Sequence, residues 1–262
     1  MDPHKPTPTA LPVGVVLVGG LDPGAGAGVA RDLLTASALG ARGLVVGTAW
    51  TEQGSPSTWS IEPRAPERVQ AALASALARV VATGSAVKIG MVATAPIAQA
   101  IEKALAAYPG PVVFDPVLRA SSGDSLFDGN RSSILALARR VTLLTPNLAE
   151  SAWLLGHPVR SEADARAAAR ELRALGIAAV LVKGGHLEGD ATDVLLSPTG
   201  ESLFSSPRIA GPSPRGTGCA LATAIAVGLA RGEPVERAVA SAKTWLAHHI
   251  ANAHLVGEEW HL

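Results

Sequence analysis

The chain's single cysteine, Cys219, closes the run Arg215-Gly216-Thr217-Gly218-Cys219 and opens an apolar stretch from Ala220 to Ala230. Glycines at 216 and 218 let the backbone turn tightly and aim successive N–H groups at one point. A helix starting there adds the positive end of its dipole, so the turn suits an anion. A thiol in that field is expected to have a lowered pKa and could act as a base. The plainer alternative is a helix start with a small buried cysteine. Asp115 ends the apolar run Val112-Val113-Phe114, where a carboxylate has no obvious packing role. Asn147 and Glu150 follow Val141–Leu144, three residues apart and so on one face of a helix start. They could hold a hydrated Mg²⁺; the same spacing serves an N-cap and its capping-box partner. Lys183 ends another apolar run ahead of Gly184-Gly185-His186. It is a candidate phosphate contact, with a snorkelling surface lysine as the alternative.

A second glycine-rich run, Gly19-Gly20-Leu21-Asp22-Pro23-Gly24-Ala25-Gly26-Ala27-Gly28, follows the first apolar strand. Its glycines at 24, 26 and 28, with Val29 next, miss the GxGxxG spacing, and no GxxxxGK[ST] occurs. A small-ligand contact loop is expected instead, with Asp22 placed to accept hydrogen bonds from the ligand; a bare glycine turn is the alternative. Thr51-Glu52-Gln53-Gly54-Ser55 runs out of the second strand, as polar groups facing the same crevice or as a solvated loop. The histidines outside Gly184-Gly185-His186 lack the paired spacing of a metal site. The absence of GxSxG argues against a nucleophile-elbow hydrolase.

Positioning these groups requires a scaffold that presents strand ends and helix starts together. Short β-branched runs alternate with amphipathic helical stretches, the pattern of a parallel sheet wrapped by helices. Strands are expected at Val13–Val18, Leu44–Ala49, Ala86–Gly90, Val112–Asp115, Val141–Leu144 and Ala179–Val182. Helices are expected at Gly26–Leu39, Pro66–Val81, Pro96–Ala107, Leu148–Leu155, Glu162–Leu175, Gly218–Arg231 and Val235–His249. The segment from Asp193 to Ser205, turning at Pro198-Thr199-Gly200, reads as a hairpin near the sheet edge. A single doubly wound α/β domain over 13–262 results, with helices on both faces and its ligand site at the carboxyl ends of the strands.

Composition narrows the function classes. The 262 residues carry 22 basic and 22 acidic side chains, interspersed, which disfavours a nucleic-acid or membrane-surface partner. No apolar run reaches the roughly 18 residues of a membrane span. Met1 to Pro12 is Pro/Thr-rich and polar, and reads as a frayed tail rather than a signal peptide. One cysteine excludes an internal disulfide and fits a cytoplasmic setting.

Seven ordered blocks resemble the hydroxymethylpyrimidine/phosphomethylpyrimidine kinases of thiamine biosynthesis, within the ribokinase-like superfamily. They are Asp22-Pro23 with Gly26-Ala27-Gly28 and Asp32-Leu33; Ser37-Ala38-Leu39-Gly40; Lys88-Ile89-Gly90-Met91; Asp115-Pro116-Val117 with Ser122-Gly123-Asp124; Thr145-Pro146-Asn147-Leu148 with Glu150; Val182-Lys183-Gly184-Gly185-His186; and Gly216-Thr217-Gly218-Cys219. The resemblance spans about Val13 to Ile250. It implies ATP- and Mg²⁺-dependent phosphoryl transfer to a hydroxymethyl group on a small heterocycle, or to its monophosphate. It also implies Cys219 as catalytic base and an anion hole from the N–H groups of Gly216, Thr217, Gly218 and Cys219. Lys183, Thr217 and Asn147 would contact ATP, while Asp115 and Glu150 would organise magnesium. Gln53 would pair with the aminopyrimidine, and Gly20, Asp22, Ala27, Met91 and Val117 would line the ring pocket. A homodimer is expected.

The chain departs from the family at Gly24-Ala25, usually Ser-Gly, and at Gly54-Ser55, usually Asn-Thr. Arg215 replaces a histidine, Pro214 replaces a threonine, and the tail from Gly257 to Leu262 lacks the usual Gly/Pro/His-rich ending. Two alternatives stay open: a pyridoxal/pyridoxine kinase of the same branch, and a non-catalytic pyrimidine-binding regulatory protein.

Overall fold

The unbroken run Val15-Val16-Leu17-Val18 is buried on both faces, as a central parallel strand requires. The computed structural model describes residues 12–53, 59–80, 84–120, 123–185, 190–209, 214–256 and 259–262. The expected tail up to Leu11, Gly54-Ser55, Ser122 and His186 lie outside the described residues. The first half of the chain forms β1 (Gly14–Leu21), α1 (Gly28–Ala38), β2 (Arg42–Gln53), β3 (Trp59–Pro63), α2 (Pro66–Val80), β4 (Ser85–Ile89), β5 (Ala93–Thr94) and α3 (Ala95–Leu105). There follow β6 (Val112–Phe114), β7 (Phe127–Asp128), α4 (Arg131–Ala138), β8 (Leu143–Leu144), α5 (Leu148–Leu155), α6 (Glu162–Ala174) and β9 (Val180–Val182). The hairpin β10 (Ala191–Ser197) and β11 (Gly200–Ser206) precedes α7 (Thr217–Ala230), α8 (Val235–Ala251), β12 (His254–Val256) and β13 (Glu259–His261).

Nine strands form one sheet in the order β11-β10-β9-β8-β6-β4-β1-β2-β3. The strands from β9 to β2 run parallel; β3 at one edge and the β10–β11 hairpin at the other run antiparallel. Period-two alternation divides the core. Val15 and Leu17 pack with α7 residues Leu221 and Ile225, whereas Val16 and Val18 pack with Leu73 of α2 and Ile97 of α3. The chain leaves β1 for β2 on one side and later returns to β4 on the other. This reversal opens a crevice at the strands' carboxyl ends.

The fold is the expected doubly wound one, with elements added. Thr51 to Gln53 continue β2 and pair with β3, correcting the solvated-loop alternative for these residues. The alternation Trp59-Ser60-Ile61 signals that edge strand. Helix α4 is short and serine-bearing, and depends on Asn130, whose side chain accepts from the Ser133 N–H.

Candidate active site

Strands β1, β4, β6, β8 and β9 deliver Asp22, Met91, Asp115, Asn147 and Lys183 to one rim of the sheet, facing the start of α7. Asp115 is 1% exposed, and its Oδ1 lies 2.5 Å from the Lys183 ammonium. The Thr145 hydroxyl donates to the same oxygen at 3.3 Å. A methyl group built on Gly218 would sit 3.2 Å from Lys183 Nζ and 3.5 Å from Asp115 Oδ2. Glycine at 218 therefore lets this pair approach the first turn of α7. Lys183 is not a snorkelling surface lysine; it is half of an ion pair beside a helix N-terminus.

The two glycine runs interlock. Gly216 caps α7 in the left-handed region, with φ 74°. A side chain there would meet the Gly26 carbonyl at 2.2 Å. Gly28, at φ 61°, would in the same way meet the Gly20 carbonyl at 2.3 Å. Asp22 staples this arrangement: Oδ1 accepts the Gly24 N–H, Oδ2 accepts the Ala27 N–H, and Arg215 Nη2 lies 3.5 Å from Oδ2. The loop itself thus donates to each Asp22 oxygen, a turn-holding role that the sequence reading did not assign.

The thiol also behaves differently from the sequence expectation. Burial pushes Cys219 up to about 11, although Lys88 and the N–H of Gly28 pull it down; Asp32 and Asp115 add to the rise. Burial is the largest of these effects, so the group is held as a thiol at neutral pH. Beneath it, Lys88 of β4 donates to both oxygens of Asp32 on α1, at 2.7 and 2.9 Å, with both side chains buried. Thr223, one turn after Cys219 on α7, donates to Asp32 Oδ1 at 2.9 Å. Sequence reasoning did not assign this triad a role. Its signals were a lysine inside Val87-Lys88-Ile89 and an aspartate on the Val29–Ala36 face of α1.

At the end of β1, Gly20 leaves room for Met91, whose sulfur would lie 2.8 Å from a methyl built there. Thr48 donates to the Met91 carbonyl and Thr51 to the Leu21 carbonyl, tying β2 to this pocket. Val117 packs against the same apolar cluster as Met91. Ala27 stands at the N-cap of α1, and Gln53 ends β2, its side chain outside the described features.

Asn147 and Glu150 form the capping box: Asn147 Oδ1 accepts the Glu150 N–H, and Glu150 Oε2 accepts the Asn147 N–H at 2.7 Å. The Asn147 amide N–H₂ group takes no part in this cap. Burial raises Glu150 to about 7, with Lys183 opposing and Asp115 reinforcing the shift. Among the described residues no three His, Cys, Asp or Glu side chains gather as a metal cage. Two carboxylates beside an ammonium fit Mg²⁺ of the kind that keeps its waters and takes phosphate oxygens.

The sequence profile described as phosphomethylpyrimidine kinase matches residues 22–261. The chain belongs to the phosphomethylpyrimidine kinase family. A hydroxymethylpyrimidine/phosphomethylpyrimidine kinase of Streptomyces coelicolor is 39% identical over 246 residues, 92% of this chain and 90% of that one. The crystal structure of phosphomethylpyrimidine kinase from Clostridium difficile superposes with a TM-score of 0.76 at 29% identity, covering 91% of this kinase and 99% of that chain. A Bacillus subtilis pyridoxal kinase in its ADP complex gives 0.85 at 25% identity, covering 95% and 96%. The fold is thus shared with both vitamin-kinase types, while the sequence sides with the pyrimidine kinases.

Proposed function

We propose that this kinase transfers the γ-phosphoryl group of ATP to 4-amino-5-hydroxymethyl-2-methylpyrimidine, to its monophosphate, or to both, in thiamine diphosphate biosynthesis. The observation that carries the reading is the Asp115–Lys183 pair against Gly218, one residue before Cys219 at the start of α7. Phosphoryl transfer demands positioning and charge neutralisation more than covalent chemistry. The N–H groups at 216–219 receive the transferring group's charge, Lys183 and Thr217 meet the phosphates, and the Asn147 amide donates to the nucleotide. Asp115 and Glu150 are the residues that would hold Mg²⁺ and its waters, and the ion would neutralise phosphate charge. Cys219, beside the acceptor, takes the proton of an alcohol acceptor only through its minor thiolate form, because burial holds the group as a thiol at neutral pH.

Gln53 carries a donor and an acceptor, and so can pair with a ring nitrogen and the adjacent amino group of an aminopyrimidine. Pyridoxal lacks that amino group. Gln53→Leu should therefore lower kcat/KM for the pyrimidine by roughly tenfold or more, and for pyridoxal by less. Equal losses on both would favour the pyridoxal kinase reading.

The kinase acts in the cytoplasm as a homodimer in this proposal. Leu33, Leu34, Val45 and Trp50 are exposed on α1 and β2, and Leu33 lies over Gly43, two residues from Val45. An apolar surface of this kind favours a second copy of the chain. Light scattering on wild type and Val45→Asp tests it: a dimer converted to monomer supports the assignment, and a wild-type monomer overturns it.

A further inference from the structure

Two departures from the family pattern meet in space. The Arg215 N–H donates to the Trp260 carbonyl of β13, so the unusual C-terminal segment docks beside the turn that begins α7. Arg31 of α1 donates from Nη1 to the Leu262 backbone oxygen at 3.1 Å. The Arg31 stem passes under the same turn, its Cγ 3.1 Å from a methyl built on Gly216. Arg31 is 4% exposed; burial lowers the pKa of its guanidinium, and the Asp22 carboxylate opposes that shift. Arg215 Nη2 stands 3.5 Å from Asp22 Oδ2, with about a quarter of its side chain exposed. Two guanidinium groups therefore stand near one carboxylate beside the turn that begins α7, and that carboxylate already accepts from backbone N–H groups.

We infer that Arg215, with Arg31 behind it and the C-terminal segment holding both, is a specificity-determining group that selects the phosphate-bearing acceptor over the free alcohol. The inference rests on the functional reading above and deepens it. A phosphate monoester carries between one and two negative charges at neutral pH, and arginine meets it with forked, charge-assisted hydrogen bonds. The chemistry agrees. When the acceptor is the monophosphate, one of its phosphate oxygens attacks the γ-phosphorus of ATP, the bond from that phosphorus to the bridging oxygen breaks, and ADP leaves with the bond's electron pair. The attacking oxygen arrives without a proton, so the step needs no base. A site whose one thiol stays protonated at neutral pH is better matched to that acceptor than to an alcohol.

The test compares kcat/KM for hydroxymethylpyrimidine and for its monophosphate in wild type, Arg215→Met and Arg215→Lys, with thermal unfolding as a check on folding. Arg215→Met should lose at least about tenfold more on the monophosphate than on the alcohol, chiefly through KM. Arg215→Lys, which keeps the charge but not the fork, should recover part of that loss. Should Arg215→Met fail to fold, Arg31→Met serves as the second variant and should show the same bias. Equal losses on the two acceptors, or none, overturn the inference while leaving the kinase reading in place. A wild-type enzyme that uses neither acceptor contradicts the kinase reading itself, and the inference falls with it.

Discussion

Lys88 and Asp32 form a buried ion pair between β4 and α1, and the Thr223 hydroxyl from α7 completes it one turn below Cys219. Three elements that are far apart in sequence are locked together under the proposed anion hole. Removing one partner leaves a buried charge uncompensated, and such losses typically amount to about 3–5 kcal/mol. Asp32→Ala should accordingly destabilise the fold by that amount in denaturant titration. The double replacement Lys88→Met with Asp32→Leu should recover much of it, because a buried pair exchanged for apolar side chains is often near neutral. A double variant as unstable as Asp32→Ala would show that the pair is needed for more than compensation of charge.

The single cysteine makes its own titration readable by ultraviolet thiolate absorbance. With Cys219 moved from 9.0 to about 11, the folded state holds the proton more tightly than the unfolded chain. Its contribution to stability is therefore whole below pH 9.0, and is lost as pH rises through about 11. Alkylation at neutral pH should be slow. Cys219→Ala should lower turnover of the alcohol acceptor by about 10²-fold and affect the monophosphate less. A thiolate already formed at neutral pH would contradict this picture.

Glycines 216 and 218 should respond differently to alanine. At 216 the left-handed backbone and the Gly26 carbonyl leave no room, so Gly216→Ala should disrupt the turn, with a loss of stability above about 1–2 kcal/mol for the backbone strain alone. At 218 the added methyl meets the movable end of Lys183, so Gly218→Ala should fold with wild-type stability and lose kcat. Chemical denaturation together with steady-state rates separates the two outcomes. Full activity in Gly218→Ala would argue against the Lys183–Asp115 pair working at the helix start.

Glu150→Gln keeps an oxygen for the Asn147 N–H and so preserves the cap, while removing a charge next to the phosphate side. The magnesium concentration for half-maximal rate should rise by roughly 10- to 100-fold, with little change in KM for the pyrimidine. Wild-type activity should vanish with chelator. Undiminished rates in chelator would exclude the magnesium assignment.

The sheet was legible in the sequence because each inner strand is a short apolar run, and α5 falls on Leu148–Leu155 because its cap is written locally in Asn147 and Glu150. What escaped depends on contacts between distant segments. The thiol's pKa could not be read from the Gly-Thr-Gly-Cys run, since it is set by burial against Lys88 and Asp32. The turn-holding role of Asp22 was hidden because sequence does not show that the loop folds back and donates Gly24 and Ala27 N–H groups to it. Arg215 was visible as a departure, but its position between Asp22 and β13 emerged only with the tail in place.

The most direct test of the central claim is the product formed by wild-type enzyme from Mg-ATP and hydroxymethylpyrimidine or its monophosphate, followed by phosphorus NMR with ADP release as the rate. The expected result is a new pyrimidine phosphate or diphosphate appearing with equimolar ADP, at a kcat/KM above that for pyridoxal. ADP release no faster than without pyrimidine, or a clear preference for pyridoxal, would contradict it.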